Sequence, residues 1–112
     1  KQRSDLDIGL PSGTGDEAYL EVVERQLDAC FAEVRPDFVI YQAGVDPLRE
    51  DKLGRLSLSR EGLRRRNELV YARSAGRPLL VTMGGGYGEP LAVTVAAHAD
   101  VFEQAARRFR SI

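Results

Sequence analysis

The hydrophobic pattern changes period several times along the chain, and the changes outline its elements. Asp5-Leu6-Asp7-Ile8-Gly9-Leu10 alternates polar and apolar with period two, which predicts a short strand or an extended arm. Pro11-Ser12-Gly13-Thr14-Gly15 is loop chemistry. Tyr19, Val22, Val23, Leu27, Cys30, Phe31 and Val34 then recur on one face of a helix predicted from Asp16 to Val34. Thr14 and Glu17 have capping-box spacing, Asp16 adds a favourable first-turn charge, and Pro36 closes the segment.

Asp37 to Gly44 is short, β-rich and nearly all apolar, as expected of a parallel strand covered on both faces. Val45 to Leu58 is a polar connection. Ser59 is the expected N-cap of a second helix, which runs to Ala75 and stops at Gly76 before Pro78; Gly62 weakens its first turn. Pro78 to Met83 is a second buried strand, and Gly84-Gly85-Gly86-Tyr87-Gly88 follows at its carboxyl end. Pro90 opens a last helix with the stripe Leu91, Val95, His98, Phe102, Ala105 and Phe109. The order arm, helix, strand, helix, strand, helix predicts an α/β fold built on a right-handed βαβ unit, a parallel sheet flanked by helices. Two strands alone leave open edges, so further strands are expected from elsewhere in a longer chain or from a partner.

Composition narrows the function classes. The 112 residues suit one small domain or part of a larger one, and 43% hydrophobic residues suffice for a core. A formal net charge of −1 lacks the basic excess of a direct nucleic-acid binder. The one basic run, Arg64-Arg65-Arg66, is expected to form a solvated helix face. No run approaches the roughly 18 apolar residues of a membrane span, so no membrane partner is expected. The first ten residues do not form a signal peptide, and the absence of an initiating Met suggests a piece of something longer. The single cysteine, Cys30, falls in the apolar stripe and is expected to be a core thiol; such usage suits a cytoplasmic protein.

Open α/β sheets bind ligands outside the carboxyl ends of their strands. Ala43-Gly44-Val45-Asp46 and Gly84-Gly85-Gly86-Tyr87 both fall there, so Asp46 and Tyr87 are candidates to share a site. A carboxylate at a strand end is a fixed oxygen donor for a metal, although Asp46 before Pro47 also suits an Asx-type turn. The glycine run allows a ligand to approach the backbone, as in a phosphate-binding loop, or simply turns the chain from strand to helix. It lacks the Lys-Ser/Thr of a P-loop and the full Gly-x-Gly-x-x-Gly. Tyr87 offers a neutral phenol, or packs at the helix entrance. His98 lies on an apolar stripe, which favours a core or interface position over a ligand.

Three blocks together resemble the histone deacetylase and acetylpolyamine amidohydrolase superfamily. They are Asp5-Leu6-Asp7 with Leu10-Pro11, Gly13-Thr14 and Asp16; Ala-Gly-x-Asp followed by Asp51, Leu53, Gly54, Leu56 and Leu58; and Gly-Gly-Gly-Tyr after a strand. Gly-Gly-Gly-Tyr-Gly and the compact connection look most like bacterial or class IV-like members. The resemblance implies zinc held by two aspartates and a histidine, of which Asp46 would be one. It implies Tyr87 as the catalytic phenol that hydrogen-bonds an oxyanion, and Gly85 and Gly86 lining an acyl channel. The other two ligands, an Asp-x-His, and a histidine pair for acid/base work are absent from these 112 residues. Residues 1–112 are therefore expected to be the C-terminal portion of a deacetylase domain, with about two core strands and three helices. The expected activity of the parent is zinc-dependent hydrolysis of an N-acyl amide such as acetyl-lysine or an acetylpolyamine, with the isolated chain inactive. A non-catalytic α/β module, or a fragment that forms homo-oligomers through its strand edges, remains the alternative.

Overall fold

The computed structural model of the protein describes residues 6–89 and 91–110. The expectations for Asp5 and Pro90 lie outside them. The chain runs α1 (Asp16–Val34), β1 (Val39–Gln42), α2 (Arg60–Ser74), β2 (Leu79–Thr82) and α3 (Leu91–Arg108). The strands pair in parallel, with Val39 opposite Leu79 and Gln42 opposite Thr82. This is the α/β arrangement read from the pattern. Residues 6–10 form no strand; Leu6, Ile8 and Leu10 instead line an apolar groove with Val22, Val23, Leu27 and Cys30 of α1. Cys30 is thus half-buried beside the arm and is not a core thiol.

All three helices converge on one face of the sheet. Tyr41, Leu79 and Val81 pack with Leu27 of α1, Val70 and Tyr71 of α2, and Val101 and Ala105 of α3. Among the described residues, the strands are therefore not covered on both faces. Ile40 and Leu80, opposite one another in register, point the other way and are 67% and 48% exposed.

The cap at α1 also differs from expectation. Gly15 is the N-cap and makes no side-chain cap bond, while the Thr14 hydroxyl donates to Pro11 O. The Asp16 carboxylate reaches instead across to α2, accepting from the Ser59 amide and hydroxyl. Ser59 caps α2 as expected, accepting from Gly62 N. The same contact explains Gly62: a Cβ there would meet Asp16 Oδ1 at 2.1 Å. A glycine unfavourable for the helix locally is needed for the junction of α1 and α2.

Helix α3 is turned relative to its apolar stripe. Its buried residues are Thr94, Ala97, Asp100, Val101 and Gln104. Leu91, Val95 and Phe102 are 68%, 58% and 42% exposed, about a third of a turn round the helix at 3.6 residues per turn. Polar burial on this face is matched by specific partners. Asp100 accepts from Arg60 Nε and Nη2 at 2.6 and 2.9 Å and from Arg64 Nη1 at 3.1 Å. The bidentate Arg60, helped by Arg64 and against the effect of burial, holds the Asp100 carboxyl below its ordinary value of 3.8. A lowered folded pKa contributes stability that is complete above the ordinary value and lost as pH falls through the folded one. In the intact protein, Asp100→Asn should cost about 2 kcal/mol at neutral pH, the scale of hydrogen bonds to a charged group. It should also flatten the loss of stability on the acid side. Urea midpoints at neutral pH and near pH 3 measure both effects.

Candidate functional site

Past the end of β1 the ladder continues irregularly. Ala43 N donates to Thr82 O at 2.8 Å, and Val45 N to Gly84 O at 3.2 Å. This carries Asp46 alongside the glycine run that leaves β2. A Cβ built on Gly85 would lie 3.2 Å from Asp46 Oδ1 and 3.3 Å from its Cβ and Cγ. The Asp46 side chain is thus packed over the Gly85 backbone, on an exposed residue. Gly85 and Gly86 have φ of 64° and 110°, a left-handed region that side chains disfavour, so the turn depends on glycine here. Beneath it, a Cβ on Gly86 would meet Thr94 Cγ2 at 2.8 Å and His98 Nε2 at 3.0 Å. The glycine turn therefore rests directly on the first two turns of α3.

Tyr87 is 60% exposed, and its backbone is tied down on both sides. Its N–H donates to Asp51 Oδ2 at 2.7 Å, and its carbonyl accepts from Lys52 N at 3.1 Å. Gly88 N donates to Thr94 Oγ1. Lys52 also pairs with Glu89 across the two loops. Asp51 is the hub: only 7% exposed, it accepts from the amides of Leu53, Gly54 and Tyr87. Burial pushes its carboxyl up, but the Tyr87, Gly54 and Leu53 amides outweigh that and hold it below the usual value. Three aligned N–H donors favour the ionised form. The connection after β1 and the turn after β2 are thereby joined through one carboxylate.

The fold thus brings Asp46 and Gly85 into contact and places Tyr87 at the end of the same turn. His98 is half-buried below Gly86, and its Nδ1 is enclosed without a hydrogen-bond partner among the described residues. Among the described residues, no three His, Cys, Asp or Glu side chains are grouped to hold a metal ion. Asp46 offers a single carboxylate oxygen donor on an exposed residue. No helix among the described residues is long and apolar enough to cross a membrane.

Residues 1–102 match the family model of the histone deacetylase domain. The chain belongs to the histone deacetylase domain family. It is 42% identical over 109 residues to an uncharacterized protein of Picosynechococcus, covering 96% of this chain and 36% of that one. It is 35% identical over 94 residues to histone deacetylase 2 of Arabidopsis thaliana, covering 82% of this chain and 24% of the relative. The crystal structure of the HDA15 HD domain superposes with a TM-score of 0.72 at 29% identity, over 84% of this chain and 26% of that one. An acetylpolyamine aminohydrolase from Burkholderia pseudomallei shares the fold, with a TM-score of 0.75 at 22% identity over 90% of this chain and 28% of that one. This deacetylase-family chain therefore spans roughly a quarter to a third of the length of these proteins.

Two groups near the site do more than their sequence positions suggest. Asp51 stands in the sequence only as one position of a motif, yet it binds the Tyr87 amide. Arg66 belongs to the run expected to form a solvated face but is 6% exposed. Only Arg65 fits that expectation, pairing with Glu17 at the surface, while Arg64 reaches inward to Asp100. The signal for Arg66 was present, because Gly62, Leu63, Arg66, Asn67, Val70, Tyr71 and Ser74 form one helical stripe of buried residues.

Proposed function

We propose that this chain forms one wall of the active site of a zinc-dependent N-acyl amide hydrolase, acting on substrates such as acetyl-lysine or an acetylpolyamine. The observation that carries the reading is the packing of Asp46 over Gly85 at the strand ends, with Tyr87 at the end of that turn. In this reading residues 1–112 are the C-terminal portion of a deacetylase domain, and the remaining ligands and acid/base histidines come from outside them. The short coverage of the relatives supports that division. Asp46 supplies one carboxylate oxygen to the zinc. When bound, the metal supplies Lewis acidity toward water and the acyl carbonyl. Tyr87 donates its phenolic proton as a hydrogen bond to the oxygen on which negative charge develops. Asp51 holds the Tyr87 backbone at the end of the turn, and Gly85 and Gly86 line the channel for the acyl group. A cytoplasmic location belongs to the same reading and rests on the lone cysteine.

The test is the intact protein carrying this segment, assayed on an acetyl-lysine peptide and an acetylated polyamine before and after chelation. Zinc-dependent release of acetate supports the proposal, and zinc-free protein with undiminished turnover would overturn it.

The 112-residue polypeptide by itself should hydrolyse neither substrate and should bind zinc weakly, because affinity comes from several preorganised donors. It should also self-associate. Ile40 and Leu80 on the open sheet face, and Leu91, Val95 and Phe102 on α3, expose apolar surface that favours burial against another chain. Sizing chromatography and a zinc titration of this polypeptide check both expectations. A clean monomer contradicts the second, and stoichiometric tight zinc contradicts the first.

A further inference from the structure

The side chain of Arg66 crosses from α2 to the end of β1. Its Nε donates to Tyr41 Oη at 2.7 Å and its Nη1 to the Gly44 carbonyl at 2.8 Å. Tyr41 Oη in turn donates to Asn67 Oδ1, Asn67 Nδ2 to Gln104 Oε1, and Gln104 Nε2 to Arg64 O and Glu68 Oε2. A continuous buried network thus runs from α3 through α2 to the peptide two residues before Asp46. The Ala43 and Val45 amides both donate toward β2. The Gly44 carbonyl between them therefore faces away from β2, where no strand of the described residues receives it, and Arg66 takes it instead.

The charge of Arg66 is poorly explained by stability. None of the ion pairs among the described residues includes it. Its closest oxygen partners are a phenol and a carbonyl. Burial pushes the Tyr41 hydroxyl up to about 12 even against the neighbouring Arg66 charge, so the phenol stays neutral. A buried cation without an anionic partner is costly, and an apolar side chain of similar volume is often no less stable. A planar fork that holds two acceptors at fixed spacing is instead suited to fixing geometry. Gly44 also needs fixing: a Cβ there would meet Asp46 Oδ1 at 3.0 Å and Gly84 O at 3.1 Å, so this peptide lies between the two halves of the site.

We propose that Arg66 is a positioning residue for Asp46: it anchors the Gly44 peptide and thereby sets the direction in which the Asp46 carboxylate leaves β1. This rests on Asp46 being a zinc ligand. Groups that orient a ligand from behind typically change metal affinity by about 10- to 100-fold when removed. The test is zinc affinity of the intact, metal-stripped protein by chelator competition, with urea stability measured alongside. Arg66→Met should weaken zinc by about 10- to 100-fold. Tyr41→Phe leaves Arg66 in place but removes the acceptor that orients its Nε, and should weaken zinc by a smaller factor. Tyr71→Phe removes a different buried bond, Tyr71 Oη to Val101 O, and should lower stability without changing zinc affinity. Should Arg66→Met fail to fold, Tyr41→Phe against Tyr71→Phe decides the matter. Equal zinc affinity in folded Arg66→Met and wild type, or equal weakening in the Tyr71→Phe control, overturns the assignment. Asp46→Ala separates the two levels. Unchanged zinc there removes the ligand reading itself, whereas lost zinc there with normal affinity in both network variants removes only the role of Arg66.

Discussion

Asp46→Ala in the intact protein should abolish stoichiometric zinc binding and, with it, acyl-amide hydrolysis down to background. Asp46 is exposed at the rim, with its side chain lying against Gly44 and Gly85, neither of which has a side chain to lose contact with. Truncation therefore removes little packing, and the fold should survive. That separates this variant from a merely destabilised one. Metal content per chain by elemental analysis, read beside an unchanged circular dichroism spectrum, is the measurement. Equal zinc in the variant and wild type would sink the ligand assignment, and with it the reading of the glycine turn as an acyl channel.

Tyr87→Phe should leave metal content and stability unchanged and lower kcat by about 10²–10³, the scale for removing one oxyanion donor. Stability should hold because the ring is 60% exposed and the residue is held by its backbone, through Asp51 and Lys52, not by its hydroxyl. The KM should move little, since a bond formed only as charge develops does not contribute to ground-state binding. Steady-state kinetics at saturating zinc test this. Near wild-type turnover in the Phe variant would contradict the role of the phenol.

Much of this protein was legible in local chemistry. The five elements follow from changes of hydrophobic period, with α2 bounded by Ser59 and Gly76 and both strands ending just before glycine-containing segments. The two blocks at the strand ends were visible as motifs, because a tight turn needs glycine whatever surrounds it. The local signals failed where a partner remote in sequence took over a group. Asp16 lies in the first turn of α1, as its position predicts, but its carboxylate also holds the N-cap of α2 at Ser59, 43 residues away. Gly62 weakens the first turn of α2 by local propensity, yet it makes room for Asp16.

By itself, then, the sequence determined the type and order of the elements and the chemical character of the segments at the strand ends. Backbone preferences and period are short-range properties, set within a few residues of each position. Only the tertiary structure decided which faces are buried and which residues meet. An amphipathic pattern states how apolar groups are distributed around a helix axis, but not which side faces the neighbours. In α3 the apolar stripe of Leu91, Val95 and Phe102 stays exposed, while Asp100 and Gln104 are buried, because Arg60, Arg64 and Asn67 on α2 satisfy them. Arg66 is inside for the same reason: Tyr41 and Gly44 present acceptors where α2 crosses β1. The pairing of Gln42 with Thr82 brings Asp46 against Gly85, and that register is a property of two strands packed under three helices, not of either strand alone.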